Sequence, residues 1–183
     1  DAAIRPTDFL SALMSEPESI QHLSFLNNGG HQVDSREAHA AEIGGGGGIA
    51  NARALAGMFN PLANDGKAGP VELLSANTIK GMSAVSMASQ HDATLLMPTR
   101  FSQGFMVSMD NRNRPNGDQE TAIMGREAFG HVGAGGSVGF ADPECRLAFG
   151  YSMSQMGTGL MLNERGQSVL DTAYKSLGYR TNS

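Results

Sequence analysis

Phe129-Gly130-His131-Val132-Gly133-Ala134-Gly135-Gly136-Ser137-Val138-Gly139-Phe140-Ala141-Asp142-Pro143-Glu144-Cys145-Arg146-Leu147-Ala148-Phe149-Gly150-Tyr151-Ser152-Met153-Ser154 is the stretch that decides the fold class. Three runs in and around it, Glu127 to Val132, Ser137 to Ala141 and Arg146 to Ser154, are short and carry β-branched and aromatic residues, as strands do. Gly133 to Gly136 and Asp142-Pro143-Glu144 separate them, and neither connection has room for a helix. Neighbouring strands must therefore pair antiparallel through tight turns.

Upstream, Phe101 to Met109 reads as one more strand, followed by a loop over Asp110 to Gly117. Downstream, Asn163 to Leu177 reads as a helix, with Val169, Leu170, Ala173, Tyr174 and Leu177 on one apolar face and Gly178 as its stop. Closer to the start, Asn51 can cap a helix whose buried face is Ala52, Leu55, Ala56 and Phe59, ended by Asn60-Pro61. Asn64-Asp65-Gly66 is a turn, and Ser75 to Met82 is a short capped helix. Residues 1–41 are polar and irregular, with one short helix around Asp8 to Met14 and a turn at Asn27-Asn28-Gly29-Gly30. The expected class is α+β, an antiparallel sheet flanked by helices. Residues 1–92 are mainly helix and loop, 93–161 antiparallel strands, and 162–178 the C-terminal helix.

The whole sequence has 183 residues, a formal net charge of −5, one cysteine and 24 glycines, close to twice ordinary glycine usage. Its length suits one domain or a large piece of one. Mild acidity without a dense Lys/Arg block excludes the footprint of a nucleic-acid binder. Arg100, Arg112, Arg114 and Arg126 are interleaved with Asp110, Asp118 and Glu120, as on a solvated surface. Cys145 alone cannot form an intrachain disulfide, and no apolar run approaches the ~20 residues of a membrane span. A soluble cytoplasmic or periplasmic chain is expected. Its first residue is Asp1, so a processed product or a fragment is expected as well.

Gly45 to Ala50 fits G-x-G-x-x-A, yet Ser35 to Ile43 before it is not strand-like, so the dinucleotide context fails. A flexible linker, or a loop where backbone must approach closely, both remain open for Gly44 to Gly48. Gly135-Gly136-Ser137-Val138-Gly139 fits the nucleophile elbow G-x-S-x-G, but it runs into a strand and the last histidine precedes it. Ser137 is a turn or strand residue. His22, His31, His39, His91 and His131 lack metal-ligand spacing, so no metal and no cofactor is expected. The first four suit a surface; His131, inside a strand, is most often structural when it stands alone. The methionines suit core packing.

Ser35 to Ile43, the glycine run and Asn51 to Ala56 together resemble the R-x-x-E-I-P-A-x-G-G-x-x-x-A-R-x-L-A stretch of esterases related to the serine β-lactamases. Gly104-Phe105-Met106, Phe129 to Ser137, Phe140 to Pro143 and Phe149 to Met153 add to the resemblance, which spans roughly residues 35 to 180. That family also holds class C β-lactamases and DD-peptidases. Its nucleophile is the serine of S-x-x-K, a tyrosine of Y-x-N or Y-x-S moves protons, and K-T-G or H-x-G lies on a strand walling the site.

The resemblance implies that His131-Val132-Gly133 is the third motif, that the Ala134 N–H is an oxyanion donor, and that Val132, Gly135 and Gly136 adjoin the substrate. S-x-x-K is absent, since Asn64, Asn77 and Thr172 stand three before Lys67, Lys80 and Lys175. Tyr174-Lys175-Ser176 fits Y-x-S, but Tyr174 belongs to a helix's apolar face. The resemblance thus implies the C-terminal portion of a serine hydrolase, inactive alone. An imidazole and no hydroxyl in place of K-T favours esters over β-lactams. The alternatives are a β-lactamase or DD-peptidase fragment, and a non-catalytic binding module on the same fold. The partners implied are a small ester or β-lactam, and the N-terminal half of the protein or a second copy.

Overall fold

A computed structural model describes residues 6–114 and 120–180. The end of the 110–117 loop, and Asp118, lie outside the described residues. Six short helices and eight short strands are described: α1 Asp8–Ser15, α2 Ile20–Leu26, α3 Arg36–Ala40, α4 Ala52–Ala63, β1 Lys67–Ala68, β2 Val71–Glu72, α5 Ala76–Ser83, β3 Met87–Ser89, β4 Thr99–Phe101, β5 Met106–Val107, β6 Phe129–Val132, β7 Val138–Asp142, β8 Leu147–Tyr151 and α6 Glu164–Ser176. β3 to β8 form one antiparallel sheet in chain order, and β1 and β2 a small hairpin.

Alternation along the central strands divides the interior into two cores. Val138 and Phe140 of β7, with Val132 of β6, meet Leu170 and Tyr174 of α6. Ala141 and Phe129 face the other way, onto Phe59, Leu62 and Ala63 of α4. The sheet is therefore covered on both faces. Glycines set the α4 distance: Gly139 and Gly150 are cross-strand partners, and a Cβ on Gly150 would lie 2.3 Å from the Ala52 carbonyl oxygen. No side chain fits there, so α4 packs directly on the backbone of β7 and β8.

The helix starts follow the cap residues. Thr7, Ser19, Ser35, Asn51, Ser75 and Asn163 each accept a backbone N–H of the first turn.

Several expectations need correction. α2 and α3 lie in the stretch read as irregular; Gln21 anchors α2 by donating to the carbonyls of Ala93 and Thr94, more than seventy residues on, which no local pattern reveals. α4 does not stop at Asn60 but runs through Pro61 to Ala63. In the last turn proline forfeits a single intrahelical bond, while its own carbonyl still accepts from Asn64 and Gly66 and its ring is buried. Phe101 to Met109 is not one strand: Ser102 N–H bonds Phe105 O at 2.8 Å and Gly104 takes φ +87°, folding it into the β4–β5 turn. The stretch read as mainly helix and loop also holds the short strands β1, β2 and β3. On α6 the buried face is Gly166, Leu170 and Tyr174, at four-residue spacing, whereas Val169 and Leu177 are exposed.

α6 is tied to the sheet by a buried polar contact. Tyr174 Oη donates to Asp142 Oδ2 at 2.6 Å and accepts from Gly125 N–H at 2.8 Å. Burial, reinforced by the Asp142 carboxylate, holds the Tyr174 hydroxyl far above the ordinary tyrosine range. Burial and the same carboxylate push the Cys145 thiol up to about 11. An acid whose folded pKa is raised holds its proton more tightly folded than unfolded. Its stabilising contribution is complete below its ordinary pKa and is lost as pH rises toward the folded value. The urea midpoint is accordingly expected to stay level to about pH 8 and to fall from about pH 9 upward, with Cys145→Ala recovering the first part of that fall. A level midpoint to pH 11 excludes this coupling.

Candidate active site

A cleft of about 500 Å3 opens beside β6, lined by Phe25, Leu55, Leu95, Met106, Leu160 and Ser137 together with His131, Val132, Gly133 and Ala134. Four residues of the H-x-G region thus converge on one concavity. His131 and Gly139 are cross-strand partners, so the imidazole stands on the α4 side of the sheet, where it is exposed. Its Nδ1 lies 2.6 Å from the Val132 carbonyl oxygen. A carbonyl only accepts, so Nδ1 carries the proton there and Nε2 of the neutral ring is an acceptor. The Val132 side chain points the opposite way, into the core with Val138.

Gly133 to Gly136 form a tight turn between β6 and β7. Gly136 N–H bonds Gly133 O at 3.0 Å, and Gly135 takes φ +87°. These are the marks of a type II turn with glycine at its third position. Gly133 N–H is bonded to Ser137 O and Gly135 N–H to Gly159 O. The Ala134 N–H alone among the four has no acceptor among the described residues, and Ala134 is exposed at the cleft. An unpaired amide donor is available there to an anionic oxygen.

Gly135 and Gly136 are buried and do not line the cleft; a Cβ on either would strike Met156 or Asn163. Their place is to shape the turn. In the glycine run, Gly44, Gly45, Gly46 and Gly48 have open space where a Cβ would be, and only Gly47 is confined, against the Ile43 carbonyl. Gly45 reaches the cleft. Ser137 follows the turn into β7, with its hydroxyl on the Met153 sulfur, and Tyr174 is core. His31, His39 and His91 are exposed, while His22 is half-buried against the Leu13 carbonyl. No metal-binding cluster occurs among the described residues, nor any helix long and apolar enough to cross a membrane.

Two contributors were not legible in the sequence. Glu120, read as part of a solvated surface, accepts the N–H groups of Leu160 and Met161 on one carboxylate oxygen and so holds Leu160 at the cleft. Asn163, beyond its cap role, donates from Nδ2 to Gly135 O at 2.8 Å. Both contacts join residues about 30 to 40 apart in the chain, and no spacing rule reaches that far. Asp110 and Arg112 do form the exposed ion pair that a solvated surface predicts.

Residues 13–174 match the family model described as beta-lactamase. Esterase/beta-lactamase LipL of Mycobacterium tuberculosis is 33% identical over 129 residues, 70% of this chain and 27% of that protein. Among solved structures, a family VIII carboxylesterase superposes with a TM-score of 0.65 at 32% identity, over 94% of this chain and 42% of the other. EstA from Arthrobacter nitroguajacolicus Rue61a gives 0.63 at 26% identity, over 79% and 36%. A penicillin-binding protein homologue from Caulobacter crescentus gives 0.56 at 33%, over 69% and 32%. The chain thus spans less than half the length of each of these relatives.

Proposed function

Because this chain belongs to the beta-lactamase family, we propose that it is the sheet-bearing part of a serine hydrolase that cleaves esters through an acyl-serine intermediate. The observation that carries the reading is the unpaired Ala134 N–H at the mouth of a cleft walled by His131 and Gly133. Fold membership alone would not license an activity. A tight turn presenting a fixed backbone donor beside an uncluttered glycine is what acyl transfer requires, since charge develops on the carbonyl oxygen as the nucleophile adds.

In this reading the nucleophile and its base come from the rest of the protein, because no serine here stands three before a lysine. His131 walls the cleft and Nε2 accepts a hydrogen bond from substrate or from an incoming group. Gly133 leaves room for the acyl carbonyl, and Ala134 N–H binds the oxyanion. Apolar Phe25, Leu55, Leu95, Met106 and Leu160 suit an uncharged acyl or alcohol group, and none of the lining side chains carries a formal charge to hold a carboxylate. That supports an ester over a β-lactam. β8 ends the sheet with its outer edge unpaired among the described strands, and strands from the rest of the protein, or a second copy, would cover it.

The test uses a serine-reactive fluorophosphonate on the whole protein and on the 183-residue chain alone. The whole protein is expected to take one label, on a serine outside these residues, and to turn over an activated ester faster than a cephalosporin. The chain alone is expected to take none. Stoichiometric labelling of a serine within these residues overturns the assignment of roles. Absence of both label and turnover in the whole protein favours a non-catalytic binding module.

A further inference from the structure

We infer that Asn163 is a positioning residue, holding the 133–136 turn so that the Ala134 N–H faces the cleft; this rests on the oxyanion reading above. Asn163 sits at the start of α6 and its amide does two things. Oδ1 accepts from Gly166 N–H at 3.1 Å, capping the helix, while Nδ2 donates to Gly135 O at 2.8 Å. The space around that amide is kept clear by glycines. A Cβ on Gly136 would lie 2.2 Å from Nδ2, and a Cβ on Gly157 would lie 2.5 Å from it.

Both polar groups of Gly135 are also held by the segment that leads into α6. Gly157 N–H also donates to Gly135 O, at 2.8 Å, and Gly135 N–H donates to Gly159 O at 3.0 Å. The peptide on the C-terminal side of Ala134 is thus fixed from outside the turn. The peptide carrying the Ala134 N–H follows, because Gly133 is bonded to both Ser137 and Gly136. A cap alone would need neither the second bond nor the two glycines. Orientation of a catalytic donor, by contrast, is sensitive to small misplacements.

The two duties of the amide can be separated by substitution. Asn163→Asp keeps an oxygen for the cap, where aspartate is as good as asparagine, but has no N–H for Gly135 O. In the whole protein this variant is expected to lose roughly ten- to a hundredfold in kcat for an activated ester, with KM within about twofold and Tm little changed. Asn163→Ser, whose hydroxyl also caps but which has no amide N–H to reach Gly135 O, is expected to do the same and stands in if the first variant misfolds. Combined with Ala134→Pro, Asn163→Asp is expected to add almost no further loss, because the donor it orients is already gone. Wild-type kcat in either Asn163 variant, or losses that multiply with Ala134→Pro, overturns the inference. Wild-type activity in Ala134→Pro alone instead overturns the oxyanion reading.

Discussion

Ala134→Pro in the whole protein is expected to lower kcat/KM for an activated ester by about 10²- to 10³-fold, with the fold intact. The magnitude is what one backbone or side-chain oxyanion donor is worth in acyl-transfer enzymes, about 3 to 4 kcal/mol of barrier. Intact folding follows from the turn itself. Position 134 is the second residue of a turn whose third residue, Gly135, has φ +87°, and proline is favoured at that second position. Substitution removes an N–H that has no acceptor among the described residues, so no internal bond is lost. The loss should fall mainly on kcat, because negative charge develops on the carbonyl oxygen only on the way to the tetrahedral intermediate, not in the bound substrate. Steady-state kinetics alongside thermal melting check it, and a variant with wild-type kcat/KM excludes Ala134 as a donor.

Phe140→Ala is expected to destabilise by about 3 to 5 kcal/mol, a large share of the 5 to 15 typical of a folded domain. Phe140 has no exposed surface and its ring stacks between Phe149, at 5.2 Å, and Tyr174, at 6.2 Å. With Val138 and the Tyr174–Asp142 hydrogen bond, it is one of the contacts through which α6 grips β7. Its removal leaves a void that the flanking rings cannot close without moving the sheet. The control is Val169→Ala on the exposed side of α6, expected within about 0.5 kcal/mol of wild type. Urea unfolding of both variants decides the matter, and equal losses would mean that α6 does not pack as described. Activity in Phe140→Ala should fall with stability, since Gly139 of β7 is the ladder partner of His131.

The antiparallel arrangement of β6, β7 and β8 was legible because its signals are local. Aromatic and β-branched runs mark the strands, and connections too short for a helix leave no other pairing. The helix at Asn163 to Leu177 and the caps at Asn51 and Ser75 were legible for the same reason. Less legible was anything set by the partner surface. Val169 and Leu177 satisfy an apolar periodicity as well as Leu170 does, yet they face outward because α6 meets the sheet on the 166/170/174 line. Likewise, Pro61 obeys a rule that ends most helices, but it fell in the last turn with its ring buried.

Of the candidate site, the sequence, through its family resemblance, pointed to His131, Val132, Gly133 and Ala134, which line the cleft, but not to Phe25, Leu55, Leu95, Met106 and Leu160, which line it with them. Tertiary structure decided the rest. It set Val132 into the core, gave Gly135 and Gly136 the task of shaping the turn, and made braces on the cleft wall of Glu120, read as a surface charge, and of Asn163, read only as the start of a helix. The physical reason is range. Backbone conformation and alternation are settled by residues within a few positions of one another, whereas which N–H is left unpaired depends on carbonyls and side chains brought together from distant parts of the chain.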